Sequence, residues 1–169
     1  TYASYARGYK TGGYNLDRTT SANGLPSGAP GLAPVADTSF PGEFVDSYEI
    51  GAKTQWFDGA LALNATVFYQ KYTDFQLNTF VGTEFIVDSI PEVHSTGVDL
   101  DVLWRLRDLG LSFQGGLTYA DTEVEKFTAA DLNNPSRFPS LSLLPGQTLG
   151  FAPEWSLSVL ARAPDAASP

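Results

Sequence analysis

Strict alternation of apolar and polar residues along whole strand lengths, with an aromatic ring at each end of the apolar row, is the feature that constrains this chain most. In "VDSYEIGAKTQWF" the even positions are Tyr48, Ile50, Ala52, Thr54 and Trp56, and the odd ones are Ser47, Glu49, Gly51, Lys53 and Gln55. Successive side chains of a strand point to opposite faces, so the two rows meet different solvents. A soluble sheet can alternate in this way too, and the ends of the row decide. Tyr48 and Trp56 stand about eight residues apart, which at roughly 3.3 Å each and a tilt near 40° rises on the order of 20 Å. That height approaches a lipid-facing band with aromatic girdles at its two edges.

The same device recurs. "LALNATVFYQ" sets Leu61, Leu63, Ala65, Val67 and Tyr69 against Asn64, Thr66, Phe68 and Gln70, with Phe68 as the exception. "TGVDLDVLW" sets Val98, Leu100, Val102 and Trp104 against Gly97, Asp99, Asp101 and Leu103, and here Leu103 breaks the pattern. "LSFQGGLTYA" sets Leu111, Phe113, Gly115, Leu117 and Tyr119 against Ser112, Gln114, Gly116, Thr118 and Ala120. Trp56 and Trp104 each precede a short connection with a late glycine, Phe57 to Gly59 and Arg105 to Gly110. With short turns on the periplasmic side, Trp56 and Trp104 belong to the inner girdle and Tyr48, Tyr69 and Tyr119 to the outer one. Glu49, Lys53, Asn64, Gln70, Asp99 and Asp101 then point into a lumen.

These patterns predict an all-β fold: an antiparallel transmembrane β-barrel segment of about six strands in meander order, with long extracellular loops. The strands are expected near Tyr2 to Gly12, Val45 to Trp56, Leu61 to Asn78, Val93 to Trp104, Leu111 to Asp121 and Leu149 to Arg162. Pro153 splits the last of these and belongs at its outer end, where a missing N–H is tolerable. The long connections, Gly13 to Phe44, Thr79 to Glu92 and Thr122 to Pro145, fall on one side, and the first is rich in Gly, Pro, Ser and Ala. Charged residues make up only 17% of the 169 residues and aromatics 13%, so charge is thinned and rings are added. No apolar run reaches the length of a transmembrane helix. Cysteine is absent, which excludes a disulfide framework and thiolate chemistry. A formal charge of −9 argues against a nucleic-acid partner. The chain opens inside a strand pattern with no Met or signal peptide and closes on "RAPDAASP". About six strands also fall short of the eight of the smallest bacterial barrels, so all of residues 1–169 is expected to be one part of a larger barrel domain.

"YASYARGYKTGGYN" (Tyr2 to Asn15), "VDSYEIGAKTQWFDGALALNATVFYQKYTDFQ" (Val45 to Gln76), "STGVDLDVLWR" (Ser95 to Arg105), "GLTYADTEV" and "LLPGQTLGFAPEWSLSV" (Leu143 to Val159), in this order, resemble successive strands in the C-terminal half of TonB-dependent outer-membrane receptors. The resemblance implies a Gram-negative outer-membrane location and contact with outer-membrane lipid. It also implies a share in the uptake of ferric siderophores or similarly scarce nutrients through a plugged barrel of about 22 strands. Energy in that family comes from TonB through a plug domain, and no plug is present in this chain, so TonB is expected as a partner only indirectly. The family has no catalytic motif, and no enzymatic activity and no cofactor are expected.

Individual residues carry competing readings. His94 could ligate a metal, but one His without a Cys or paired carboxylates at ligand spacing reads as structural, and no metal site is expected. His94-Ser95 lacks the strand-to-helix elbow of a hydrolase. Asp99 and Asp101, side by side on one strand face, could act as an acid/base pair, but read better as lumen carboxylates hydrogen-bonded to neighbouring strands. "GYKTGGYN" lacks the glycine spacing of a phosphate loop. Arg7, Lys10, Tyr14, Lys126, Phe127 and Arg137 are candidates for a ligand vestibule. Cations there would steer an anionic chelate. Asp121, Glu123, Glu125 and Asp131 leave a cationic or neutral ligand open as well, including a sugar stacked on Tyr14, Phe40 or Phe127. Two other readings of the whole chain remain: a soluble β-sandwich module, such as a carbohydrate binder with Trp56 and Trp104 in its core, and a truncated barrel product without transport activity.

Overall fold

The computed structural model describes residues 1–16, 38–81, 84–125, 127, 144–150 and 152–163. The strands in chain order are β1 (Tyr2–Lys10), β2 (Gly13–Tyr14), β3 (Ser39–Phe40), β4 (Glu43–Trp56), β5 (Leu61–Val81), β6 (Glu84–Leu106), β7 (Leu111–Val124) and β8 (Trp155–Arg162). β1, β4, β5, β6, β7 and β8 form one sheet in that order, each antiparallel to its neighbours, and β2 pairs with β3 in a separate ribbon. β1 and β8 are the sheet's edges and do not pair with each other, so the barrel is not closed.

Register turns the sequence alternation into two surfaces, because directly opposed residues of an antiparallel pair share a face. Ala52, Ala65, Leu100, Leu117 and Leu157 are successive partners across five strands. One residue along, Lys53, Asn64, Asp101, Gly116 and Ser158 form the matching row on the other face. The apolar face ends in rings on both sides. Tyr5, Tyr48 and Tyr69 are consecutive partners at one end, and Tyr119 pairs with Trp155 two residues nearer the short turns. At the other end Trp56, Leu61, Trp104 and Phe113 stand in one row. Trp56 is 56% and Trp104 44% exposed, which overturns the β-sandwich reading. The other sheet among the described residues is the two-stranded ribbon β2–β3, which is not a second sandwich layer.

The two exceptions to alternation have different settings. Phe68 reaches the polar face, where its ring lies against Gly97, its cross-strand partner, in the space a Cβ there would occupy. Tyr2 covers Gly51 in the same manner. Both are rings laid over a bare strand glycine. Leu103 shares its row with Ala62, Gln114 and Leu160.

The short connections adopt the conformations their residues favour. Asp58 and Gly59 both have positive φ, 52° and 78°, and the Ala60 N–H donates to the Phe57 carbonyl at 2.9 Å, as in a type I′ hairpin turn. The second turn closes at Gly110, φ 63°, and Arg107 donates from Nη2 to the Asp58 carbonyl at 2.9 Å, tying the two turns together.

Two expectations about connections are corrected. Thr79 to Glu92 is not a long loop: β5 and β6 continue to Val81 and Glu84, leaving only residues 82–83 between them. The ladder is interrupted only where Asp74, at φ 53°, faces Pro91, which has no N–H to offer. The last strand begins at Trp155, not Leu149, because Pro153 cannot donate to β7; the segment before it meets the end of β7 through the isolated bridge Glu123 to Thr148 and hydrogen bonds between Val124 and the backbone of Gly146 and Gln147.

The facing assignment yields a direct test. If the apolar row faces a bilayer, Leu100→Arg is expected to cost about 2 to 4 kcal/mol, the penalty of an arginine near the midplane, and to abolish the heat-modifiable band of folded barrel. Asp99→Asn, one residue away on the other face, is expected to leave that band. Equal loss in both variants would reverse the assignment.

Candidate functional site

On the polar face, Glu49, Lys53, Asn64, Gln70, Asp99 and Asp101 line one concavity of about 560 Å³, together with Tyr2 and Thr66. Alternation along three neighbouring strands, β4, β5 and β6, brings all six together. The wall is hydrogen-bonded across strands. Thr118 donates from Oγ1 to Asp99 Oδ1 at 2.7 Å and Tyr2 and Thr66 share a hydroxyl bond of 3.0 Å, while within β5 Tyr72 donates to Gln70 Oε1 at 3.0 Å. The Lys53 ammonium lies 5.6 Å from the centre of the Tyr2 ring. Three carboxylates and one ammonium give the wall a negative balance. Groups of this kind are suited to holding and orienting a polar solute.

The vestibule candidates do not come together. Lys10 lies on the polar face with its ammonium 4.0 Å from Glu43, whereas Arg7 lies on the apolar-row face beside Tyr5, 3.8 Å from Asp46 and 5.1 Å from the centre of the Phe44 ring. Arg7 sits one step away from the expected side because parity along β1 separates it from Lys10. Tyr14 is exposed in the small ribbon, and Phe127 packs against the only hydrophobic core among the described residues. Lys126 and Arg137 fall outside the described residues.

That core, Ile90, Val93 and Val124 with Tyr72, Phe75, Leu77, Phe127, Leu144 and Leu149 around it, lies beyond the outer aromatic row. Two buried amides fasten the neighbouring segments to it. Asn15 donates from Nδ2 to the Val87 carbonyl at 2.7 Å and accepts the Val87 N–H on Oδ1 at 2.8 Å, so its side chain takes the place of a neighbouring strand. Gln76 donates from Nε2 to the carbonyls of Thr11 and Pro41 at 2.8 and 3.0 Å, and its N–H donates to Glu43. A single long apolar-facing sheet, a polar concavity and an outer end pinned by loops describe a barrel wall. A family model described as "TonB dependent receptor-like, beta-barrel" matches residues 1–165. The chain belongs to that family. Its fold is also similar to that of the ferric yersiniabactin uptake receptor FyuA from Yersinia pestis, with a TM-score of 0.63 and 21% identity over 95% of this chain. The chain spans only 20% of that receptor's length.

Beyond the aromatic row, this receptor wall carries a cluster that sequence reasoning missed. Lys71, on β5, opposes His94, on β6, and its ammonium meets Glu92 Oε2 at 2.6 Å. Glu92 Oε1 meets His94 Nε2 at 2.6 Å, and Glu125 Oε1 lies 3.8 Å from Nδ1. The Lys71 ammonium, helped by His94, holds the Glu92 carboxyl below its ordinary pKa, and Glu92 raises that of Lys71 in return. The Glu92-x-His94 spacing was visible in the sequence. Glu125 joins only through the β6–β7 register. Tyr5 and Trp155 likewise complete the outer aromatic row without having been singled out.

The amide clasps predict a local effect. Asn15→Ala leaves the Val87 N–H and carbonyl without their partner at a cost of about 1 to 3 kcal/mol. Limited proteolysis within Gly13 to Phe44 is expected to accelerate at least about tenfold, while the heat-modifiable band persists. An unchanged cleavage rate would show that the clasp does not hold the segment.

Proposed function

We propose that this chain forms part of the wall and outer loops of a Gram-negative outer-membrane receptor that takes up a ferric siderophore or a similarly scarce small nutrient. The observation that carries the reading is the division of one sheet between an apolar face edged by two rows of rings and a polar face whose charged groups converge on one concavity. Lipid covers the first face and water fills the lumen behind the second. Glu49, Lys53, Asn64, Gln70, Asp99 and Asp101 are then lumen groups, and Tyr48, Trp56, Tyr69, Trp104 and Tyr119 are girdle residues. Three carboxylates against one ammonium favour a neutral or cationic cargo over a strongly anionic one at this part of the wall. TonB engages such a receptor through a plug, so this wall contributes passage and not energy coupling. The receptor carries out transport, without bond-making chemistry.

The natural absence of cysteine from this chain makes the topology measurable. With a membrane-impermeant maleimide, Tyr14→Cys is expected to label on intact cells and Asp58→Cys only after permeabilisation, since the short turns face the periplasm. The opposite pattern would invert the barrel. Transport is tested by deleting the gene and measuring growth on single ferric chelates under iron starvation. Loss of growth on one chelate, restored by the gene, supports the cargo class; growth unaltered on every chelate removes ferric siderophores from the reading.

A further inference from the structure

Glu92 and His94 stand at positions i and i+2 of β6, so both project from one face, beyond the Tyr5, Tyr48 and Tyr69 row. Glu125 follows the end of β7 and is held opposite Glu92, where its N–H donates to the Glu92 carbonyl at 3.1 Å. One ligand atom from each of the three lies within 4.8 Å of the other two. The supporting groups are also in place. Glu92 keeps its second oxygen on the Lys71 ammonium at 2.6 Å, and the Tyr69 hydroxyl lies 3.1 Å from His94 Nδ1, with the two rings edge-on at 82°. Metal-binding imidazoles and carboxylates are characteristically oriented in this way, each by a hydrogen bond to the atom that does not ligate.

We propose that Glu92, His94 and Glu125 bind one divalent transition-metal ion of the zinc class on the outer surface of the barrel, whatever the barrel transports. The 2.6 Å contact between Nε2 and Glu92 Oε1 is bridged by one proton, and in the tautomer in which His94 donates its Nδ1–H to Tyr69 the Nε2 lone pair and Glu92 Oε1 are both turned to the place where a cation takes that proton's role. Zinc takes nitrogen and carboxylate oxygen at about 2.0 to 2.2 Å in a tetrahedron, so the Glu92 and His94 atoms, now 2.6 Å apart, separate to about 3.3 Å to admit it. Glu125, half exposed, supplies the third ligand by rotation of its own side chain, and water completes the tetrahedron. The ion joins β6 to the end of β7 and fixes where the chain leaves the sheet. Lys71 sets the limit on affinity, because its ammonium stays near the ion and opposes it.

The test uses the intact receptor, purified in detergent and stripped with chelator, with Zn²⁺ titrated against a chromophoric chelator and Co²⁺ used as the spectroscopic probe. The wild type is expected to bind one more zinc ion than His94→Ala, and Glu92→Gln and Glu125→Gln are expected to weaken that site by about tenfold or more. Co²⁺ is expected to give a visible absorption band that His94→Ala loses. Glu49→Gln, on the opposite face, is expected to leave both readouts unchanged, and heat-modifiability confirms that each variant is folded. Equal zinc stoichiometry and affinity in wild type and His94→Ala would overturn the proposal. It would leave Nε2–H as an ordinary donor to Glu92.

Discussion

One antiparallel register, carried without a slip through the spanning part of six strands, is the constraint on which everything else in this structure rests. Side chains along a strand alternate strictly, so a shift of one residue anywhere in β4 to β7 would exchange the rows containing Leu100 and Asp101. The chain resists that slip at both ends of the span. Tight turns at Asp58-Gly59 and Gly110 fix the pairing on one side, and aromatic neighbours fix it on the other, with Tyr5 and Tyr48 rings 5.1 Å apart and Tyr119 and Trp155 4.7 Å apart. Glycine contributes as well. Gly97 and Gly51 admit the rings of Phe68 and Tyr2 only in this register, so a slipped sheet would lose both contacts.

The same register explains why a buried core is found at only one end. On the proposed reading lipid covers the apolar face along the span, and protein packing there has no hydrophobic advantage over acyl chains. Beyond the outer rings the strands run on in water, and β5 and β6 extend to Val81 and Glu84. Apolar side chains in that stretch need protein cover, which Leu144 and Leu149 supply over Ile90, Val93 and Val124. Buried backbone groups there need partners too, and the side chains of Asn15 and Gln76 provide them. The end that holds the core is therefore packed by the rules of a soluble protein, and the alternating span is patterned as a bilayer would demand.

Parity and turn chemistry made the span legible in the sequence. The strands, their order, the opposed rows and the level marked by Trp56 and Trp104 all follow from residues within a few positions of one another. The extension of β5 and β6 was hidden because Asn78 to Ser89 mixes polar and apolar residues without a clean period, and its strand character depends on the partner strand. Arg7 was placed with Lys10 by composition, although three intervening bonds of alternation put them on opposite faces. The polar concavity was legible because each of its members obeys parity. The cluster around His94 was only half so, since Glu125 reaches it across a strand pair and not along the chain.

The edges carry the final consequence. β1 and β8 each pair on one side only, and all eight residues of β8 are exposed. In water such edges invite pairing with other chains; in hydrocarbon their free N–H and C=O groups find no partner at all, at a cost of several kcal/mol each. In a bilayer such a sheet is therefore stable only when both edges meet further strands. Tilt and stagger already built into the register then set how neighbouring strands must join, because a barrel closes only when every strand shares the same tilt.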